Sequence, residues 1–275
     1  MAISPQVMWM FLVALIVTLF VPILLLIILG CAKKIQGMPL ALGFASFFVS
    51  QILLRIPLLQ QCAGQEWYQT LAASSPVLVG LMLAFTAGLF EESARLGGAA
   101  LLGPRKPSFP GGPLRPGYRT WKGALSFGLG HAFCEMILLV GLTHLNNLIF
   151  CVMLGFGQET LASLIPADQL NVIVEQFAAV TPLTILAGIL ERLSAVLFHL
   201  FATGLVFLAM AKKQWLLYPA AILCHTLFNC VALLPWDIWA IEGILFLLAL
   251  VCAFFFWKSR KWFPQTIPVQ PSPLA

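Results

Sequence analysis

The chain has 275 residues, 61% of them hydrophobic and only 9% charged, with a net charge of +5. Soluble domains carry roughly 25% charged residues, so this composition excludes an ordinary soluble domain and describes an all-α polytopic membrane protein. The apolar runs are long and continuous, not alternating over about ten residues, which argues against a transmembrane β-barrel. The basic residues cluster in short loops beside those runs, a pattern that sets membrane orientation and gives no reason to expect a nucleic-acid partner.

The first apolar run, Val7 to Gly30, has no Lys or Arg before it and is too long for a signal-peptide core. Lys33 and Lys34 follow it, which places the N-terminus outside. A second span runs from Met38 to Leu59, with Arg55 near its outer end, where its long side chain can snorkel. Gln60 to Gln69 reads as a polar outer loop. The third span runs from about Pro76 to Leu102 and carries Glu91, Glu92 and Arg95. Residues 103–120 are rich in Gly and Pro and hold Arg105, Lys106, Arg115 and Arg119, so they form an inner loop.

The fourth span is expected from Trp121 to Leu142. Residues 143–180 are broken by Asn146, Asn147, Gly157, Pro166 and Asp168 and read as an outer connection of short helices. The fifth span covers Leu183 to Ala211, the sixth Trp215 to Leu234 and the seventh Ile238 to Trp257. Lys258, Arg260 and Lys261 mark an inner C-terminal end. The reading is one transmembrane domain over residues 1–263, with about seven helices, N-terminus out and C-terminus in, and a Pro-rich disordered tail over 264–275. The seven cysteines form no CxxC pair and mostly lie in or beside apolar runs, so they read as small hydrophobes.

Two adjacent carboxylates in a membrane helix demand a reason. Insertion scales put a central acidic residue at roughly +2.5 to +3.5 kcal/mol, so Glu91 and Glu92 must face protein or a wet cavity. Span four adds His131 and Glu135, one helical turn apart. Span five adds Glu191, Arg192 and His199, and span six adds His225 and Asn229. Glu91, His131, His199 and His225 each lie about ten residues from the inner end of their span, which at 1.5 Å per residue is about 15 Å deep. Four helices thus bring a carboxylate or imidazole to one level. A carboxylate and a neutral imidazole can share a water and take its proton, and His or Asn donors can stabilise an oxyanion. Three histidines with a glutamate are also acceptable zinc ligands, so zinc, held by His131, His199 and His225, stands beside a metal-free reading. Arg95 sits four residues from Glu91 and can tie down one of the glutamates, leaving the other to face the cavity. Glu191 and Arg192 read as a structural or gating ion pair.

Glu91-Glu92-Ser93-Ala94-Arg95 matches an EExxR motif, Gly128-Leu129-Gly130-His131 with Glu135 matches GxGHxxxE, and His225-Thr226-Leu227-Phe228-Asn229 matches HxxxN. In this order, with Glu191-Arg192 and His199 between the last two, the sequence resembles the YhfC family of bacterial intramembrane proteases. That family is related to the CAAX prenyl endopeptidases, the PrsW proteases and the Aph subunit of γ-secretase. The resemblance implies a catalytic pair in Glu91 and Glu92, water activation assisted by His131, an additional membrane histidine in His199, and an oxyanion site in His225 and Asn229. Arg95, Glu135, Glu191 and Arg192 would support them. It implies a multi-pass protein of the bacterial plasma membrane, in contact with lipid and acting on a membrane-protein or lipidated-peptide substrate. EExxR is one residue shorter than the EExxxR of the CAAX group. Two other classes fit the same residues: a non-catalytic scaffold like Aph, and a proton-coupled transporter with a buried Glu/His relay. No internal repeat is visible, which weighs against the transporter.

Overall fold

The computed structural model describes residues 4–104, 117–156 and 158–264. Among these residues the regular structure is helical throughout, with no strand. In chain order the helices are α1 (Pro5–Cys31), α2 (Gly37–Ala63), α3 (Glu66–Ser74), α4 (Pro76–Leu101) and α5 (Trp121–Gly155). Then come α6 (Gln158–Leu164), α7 (Ala167–Ala179), α8 (Pro182–Lys212), α9 (Leu217–Leu233) and α10 (Ile238–Lys261). Six of them, α1, α2, α4, α5, α8 and α10, are long and apolar enough to cross a membrane. The shorter apolar α9 makes a seventh membrane helix. At 1.5 Å per residue it is about 25 Å long, a little less than a ~30 Å hydrocarbon core. The chain is a multi-pass membrane protein.

The helices start where the sequence offers caps. Ser4 accepts from the Val7 N–H ahead of Pro5, and Thr120 accepts from the Gly123 N–H. Thr181 and Thr184 form a reciprocal capping box around Pro182, and Asp237 accepts from the Trp239 N–H. Each device satisfies donors that a helix leaves open at its first turn, and Pro suits that turn because its missing N–H is not needed there. The far end of α4 is closed differently: Arg119 donates to the Ala99 and Ala100 carbonyls, both at 2.7 Å. Inside α1 and α2 the helix widens to a π-helical turn over Ile16–Phe20 and Phe48–Arg55. Both precede a proline, Pro22 and Pro57, whose ring crowds the carbonyl four residues earlier and whose nitrogen cannot close that hydrogen bond.

Three sequence expectations are corrected. α5 does not end at Leu142 but runs on to Gly155. The polar residues there keep their N–H groups, Thr143 turns its hydroxyl back onto the Leu139 carbonyl at 2.5 Å, and the first proline after Trp121 is Pro166. The short helices expected over 143–180 therefore begin only at Gln158. The outer loop placed at 60–69 is largely helical, because α2 continues to Ala63 and α3 starts at Glu66. Most of the inner loop of 103–120, and the tail beyond Pro264, lie outside the described residues.

α8 is the central post. In its most apolar stretch 56% of residues are buried, against 17% to 33% for the other five long helices. The remaining helices turn rows of Leu, Ile, Val and Phe outward, among them Ile23, Leu24, Ile27 and Ile28 on α1, as a lipid-facing surface requires. Where helices meet closely they do so on small residues. A Cβ on Gly43 of α2 would lie 2.0 Å from the Phe127 carbonyl oxygen of α5, and one on Gly130 of α5 would lie 2.1 Å from that of Leu40. Gly88 lets α4 approach Ile222 of α9, and Gly204 lets α8 approach Phe256 of α10. One apolar cluster, around Ala99, Phe127, Phe207 and Phe256, fills one end of the bundle. A second, around Val7, Phe11, Cys151 and Ile185, fills the other. The polar layer lies between them.

Candidate functional site

The close helix contacts bring the polar residues of α4, α5, α8 and α9 into one buried network. Glu91 is its hub. Its Oε2 lies 2.9 Å from His131 Nε2, 3.4 Å from Arg95 Nη2, and 3.9 Å from both His199 Nδ1 and His225 Nε2. The ring centroids of His131 and His199 are 5.4 Å apart, and those of His199 and His225 are 5.5 Å apart. The common depth read from the sequence corresponds to a common place.

The two glutamates divide. Glu92 is fully buried, and its Oε1 pairs with Arg95 Nη1 and accepts from His225 Nδ1 at 2.7 Å. Glu91 lines a cavity of about 360 Å³, together with His199, His225 and Asn229. Adjacent helix positions point about 100° apart, which is why one carboxylate serves the packing of α4 on α9 while the other is presented to open space. Arg95 spans both glutamates and also donates through Nη2 to His199 Nδ1 at 2.7 Å.

The network assigns the tautomers. Since His199 Nδ1 accepts from Arg95, its Nε2 carries the proton and donates to Glu135 Oε2 at 2.6 Å. His225 donates through Nδ1 to Glu92, which leaves its Nε2 lone pair facing Glu91. His131 donates through Nε2 to Glu91 and meets Ser46 Oγ with Nδ1 at 2.8 Å. Phe47 stands edge-on against the same ring at 5.2 Å.

Glu135 does not orient His131, although the two lie a turn apart on α5. Its carboxylate turns to α8, bonding His199 and, at 2.7 Å, Arg192 Nη1. Arg192 also pairs with Glu191. Those three line the cavity, which His131 does not. Asn229 lines it too, and its side chain has no hydrogen-bond partner among the described residues.

Several residues of the site were not singled out from the sequence. Arg55 does not snorkel outward. It points into the cavity, donating to the Leu83 carbonyl at 2.7 Å, Thr86 Oγ1 at 3.2 Å and Gln51 Oε1 at 3.1 Å. The signal was Gln51 and Arg55, four apart in an otherwise apolar run. Ser46 looked like one small residue among many. Glu242 of α10 is buried, its Oε2 has no partner among the described residues, and it lies within electrostatic reach of Glu191 and Arg192. An acid four residues into an apolar span was visible in the sequence.

The donors fit a divalent metal in one grouping. Glu91, His199 and His225 each offer a ligand atom, all within 4.8 Å of one another. The far nitrogen of each histidine is held by a carboxylate, Glu135 or Glu92, the arrangement that orients metal-binding imidazoles. Of the two histidine nitrogens, that of His199 has a competitor in the Arg95 guanidinium, and Glu91 Oε2 is already engaged by His131 and Arg95. The group differs by one member from the three-histidine set, because His131 spends its nitrogens on Glu91 and Ser46.

Fold and site together define a class: polytopic helical membrane proteins that bury a glutamate–histidine layer beside an internal cavity. The chain belongs to the YhfC family. The profile of the YhfC intramembrane metalloprotease family matches residues 17–251, which include every residue of the network. The chain is 26% identical over 199 residues to the uncharacterized membrane protein YhfC of Bacillus subtilis (strain 168), an alignment covering 70% of this chain and 72% of that one. No solved structure matches.

Proposed function

We propose that the chain is an intramembrane endopeptidase that hydrolyses a peptide bond of a membrane-protein or lipidated-peptide substrate, in or beside the bilayer. The observation that carries this is the position of Glu91: one buried carboxylate oxygen at the convergence of three imidazoles, on the wall of a cavity. Glu91 takes a proton from water entering that cavity. His131 and Arg95 hold the carboxylate in place, so no reorganisation is needed as charge moves. His225, kept in one tautomer by Glu92, presents its unprotonated Nε2 towards the same space, takes up the proton that Glu91 removed from water and passes it to the leaving amine. The Asn229 amide, unengaged on the cavity wall, donates to the oxyanion. Glu92 and Arg95 are positioning residues in this scheme, as are Glu135 and Arg192 behind His199.

The Glu91, His199 and His225 grouping and the family's description favour a second version, in which these three side chains hold zinc. Bound zinc supplies Lewis-acid polarisation of a carbonyl. Here Arg95 releases His199, while Glu92 and Glu135 keep both imidazoles oriented.

The test is cleavage of transmembrane and prenylated reporter peptides in liposomes, with metal content measured on protein lacking a His tag. Wild type should cleave, Glu91→Gln and His225→Ala should not, and Glu92→Gln should retain activity in proportion to its folded fraction. Near-stoichiometric zinc that is lost in His199→Ala and kept in His131→Ala selects the metal version. Cleavage that survives in Glu91→Gln overturns both. A folded wild type that cleaves no reporter, yet is strongly destabilised by Glu91→Gln, favours a scaffold.

A further inference from the structure

At the end of the bundle where α1 meets α2, a second cavity of about 790 Å³ opens between the α1–α2 turn, the start of α5 and the end of α10. Four cations line it: Lys33, Lys34, Lys122 and Arg260. None of them has an acidic partner among the described residues. Lys122 Nζ donates to the Lys33 carbonyl at 2.6 Å, and the Arg260 guanidinium lies over the Trp121 ring at 5.7 Å. These contacts fix both side chains without neutralising either.

No acidic side chain among the described residues lines this cavity. The chain's ten acids are Glu66, Glu91, Glu92, Glu135, Glu159, Asp168, Glu175, Glu191, Asp237 and Glu242. Five belong to the network of the first site or lie beside it. The other five lie in the connections at the opposite end of the bundle. Residues 1–65, 93–134, 192–236 and 243–275 contain no Asp or Glu.

Two further features narrow the occupant. One wall is apolar, formed by Leu29, Leu125 and the buried Phe263. On another wall the Gln36 Oε1 is a buried acceptor with no donor among the described residues, while the Gln36 N–H is held by Ser126 Oγ at 2.9 Å. A ligand suited to this cavity carries negative charge, an apolar part and a hydroxyl that can donate. We infer that the cavity binds the phosphodiester head group of an anionic lipid bearing a free hydroxyl, of which phosphatidylglycerol is the simplest. The phosphate sits among the cations, the head-group hydroxyl donates to Gln36 Oε1, and the glycerol backbone leads out over Leu29 and Leu125. The site is independent of the proposed protease activity.

The experiment is native mass spectrometry of the delipidated full chain in detergent, titrated with phosphatidylglycerol, phosphatidylcholine, phosphatidylmethanol or glycerol 3-phosphate. Wild type should retain phosphatidylglycerol over phosphatidylcholine. A surface cation contributes roughly a fivefold factor in affinity for anionic lipid, so Lys34→Gln and Arg260→Gln should each weaken binding by about that much, while Lys34→Arg should not. Lys212→Gln with Lys213→Gln removes charge from the same end of the bundle outside the cavity, at the exposed end of α8, and should leave binding unchanged. Gln36→Leu should abolish the preference for phosphatidylglycerol over phosphatidylmethanol, which lacks the hydroxyl. Equal retention of phosphatidylcholine overturns the inference. So does an equal loss in the Lys212/Lys213 variant, which would make the charge diffuse, or displacement of the lipid by equimolar glycerol 3-phosphate, which would make the ligand a soluble phosphate.

Discussion

Gly130→Ala is the sharpest test of how the polar layer is held. The added Cβ would lie 2.1 Å from the Leu40 carbonyl oxygen and 3.0 Å from the Phe44 nitrogen, both backbone atoms of α2. Real Cβ atoms essentially never come within 3.0 Å of a neighbour, so α2 and α5 must part by about 1 Å before the contact stops being repulsive. Ser46 rides on α2 and His131 is the next residue of α5, so their 2.8 Å hydrogen bond stretches towards about 3.8 Å and is lost. Overpacking costs about 1–3 kcal/mol and the lost hydrogen bond about 1 kcal/mol. The expected destabilisation is therefore roughly 2–4 kcal/mol. Reversible unfolding in mixed micelles, followed by helical circular dichroism, measures it. Gly43→Ala acts on the same seam from the other helix, against the Phe127 carbonyl, and should cost a similar amount. The double variant should cost clearly less than the sum, because one separation relieves both clashes. Gly97→Ala on α4, with nothing within 4 Å of the added carbon, serves as the control and should be neutral or slightly stabilising. If Gly130→Ala unfolds like wild type, or the two costs simply add, the seam is not the close contact described and the account of His131 fails with it.

Ser46→Ala leaves the helices in place but strips His131 Nδ1 of its partner; it should lower the cleavage rate by roughly tenfold or more while shifting stability by only about 1–3 kcal/mol. Arg95→Gln removes the cation shared by two buried carboxylates and should destabilise by roughly 3–5 kcal/mol, with partial rescue by Glu92→Gln in the same chain; absence of rescue would show that Glu92 and Arg95 are not coupled. Glu242→Gln takes charge from a buried carboxylate whose Oε2 has no partner among the described residues, so micelle unfolding should find it neutral or stabilising, and a loss above about 1 kcal/mol would point to an ionic role.

Much of the site was legible because a membrane interior makes polar residues conspicuous. Glu91, Glu92, His131, His199 and His225 stand out against apolar neighbours, and counting 1.5 Å per residue along each helix places them at one depth. Depth is not direction, however. Glu135 lies one turn from His131 on α5, a spacing that fits either orienting that ring or packing, yet it serves His199 and Arg192 across the helix interface. That choice depends on the rotation of α5 against α8, which no spacing along one helix encodes. Arg55 misled for a related reason. A long cation near the end of a span has two destinations, and the π-helical turn over Phe48–Arg55 turns Gln51 and Arg55 together into the bundle. The length of α5 was missed because Asn and Thr mark loops in water, where they compete for backbone hydrogen bonds. In α5 the Thr143 hydroxyl returns its bond to the helix itself, and no proline interrupts.

The division between Glu91 and Glu92 bears on mechanism through the histidines. Each of the three imidazoles has one nitrogen committed to a group that takes no part in the proposed chemistry: Ser46 for His131, Glu135 for His199 and Glu92 for His225. The other nitrogens all face Glu91 Oε2, at 2.9 to 3.9 Å. A purely structural network has no need of that focus, since pairing Arg95 with both glutamates already neutralises much of the buried charge. Convergence on a single oxygen beside a cavity is what either a water-activating carboxylate or a metal ligand requires, and it places the next discriminating observation at one bond. If Arg95 stays on His199 in the active protein, that nitrogen cannot bind a metal. If Arg95 leaves it, the zinc version gains its third ligand. Replacing Arg95 by Lys, which keeps the charge but loses the forked reach to both Glu92 and His199, should therefore raise metal affinity in the zinc version and lower cleavage without changing metal content in the metal-free one.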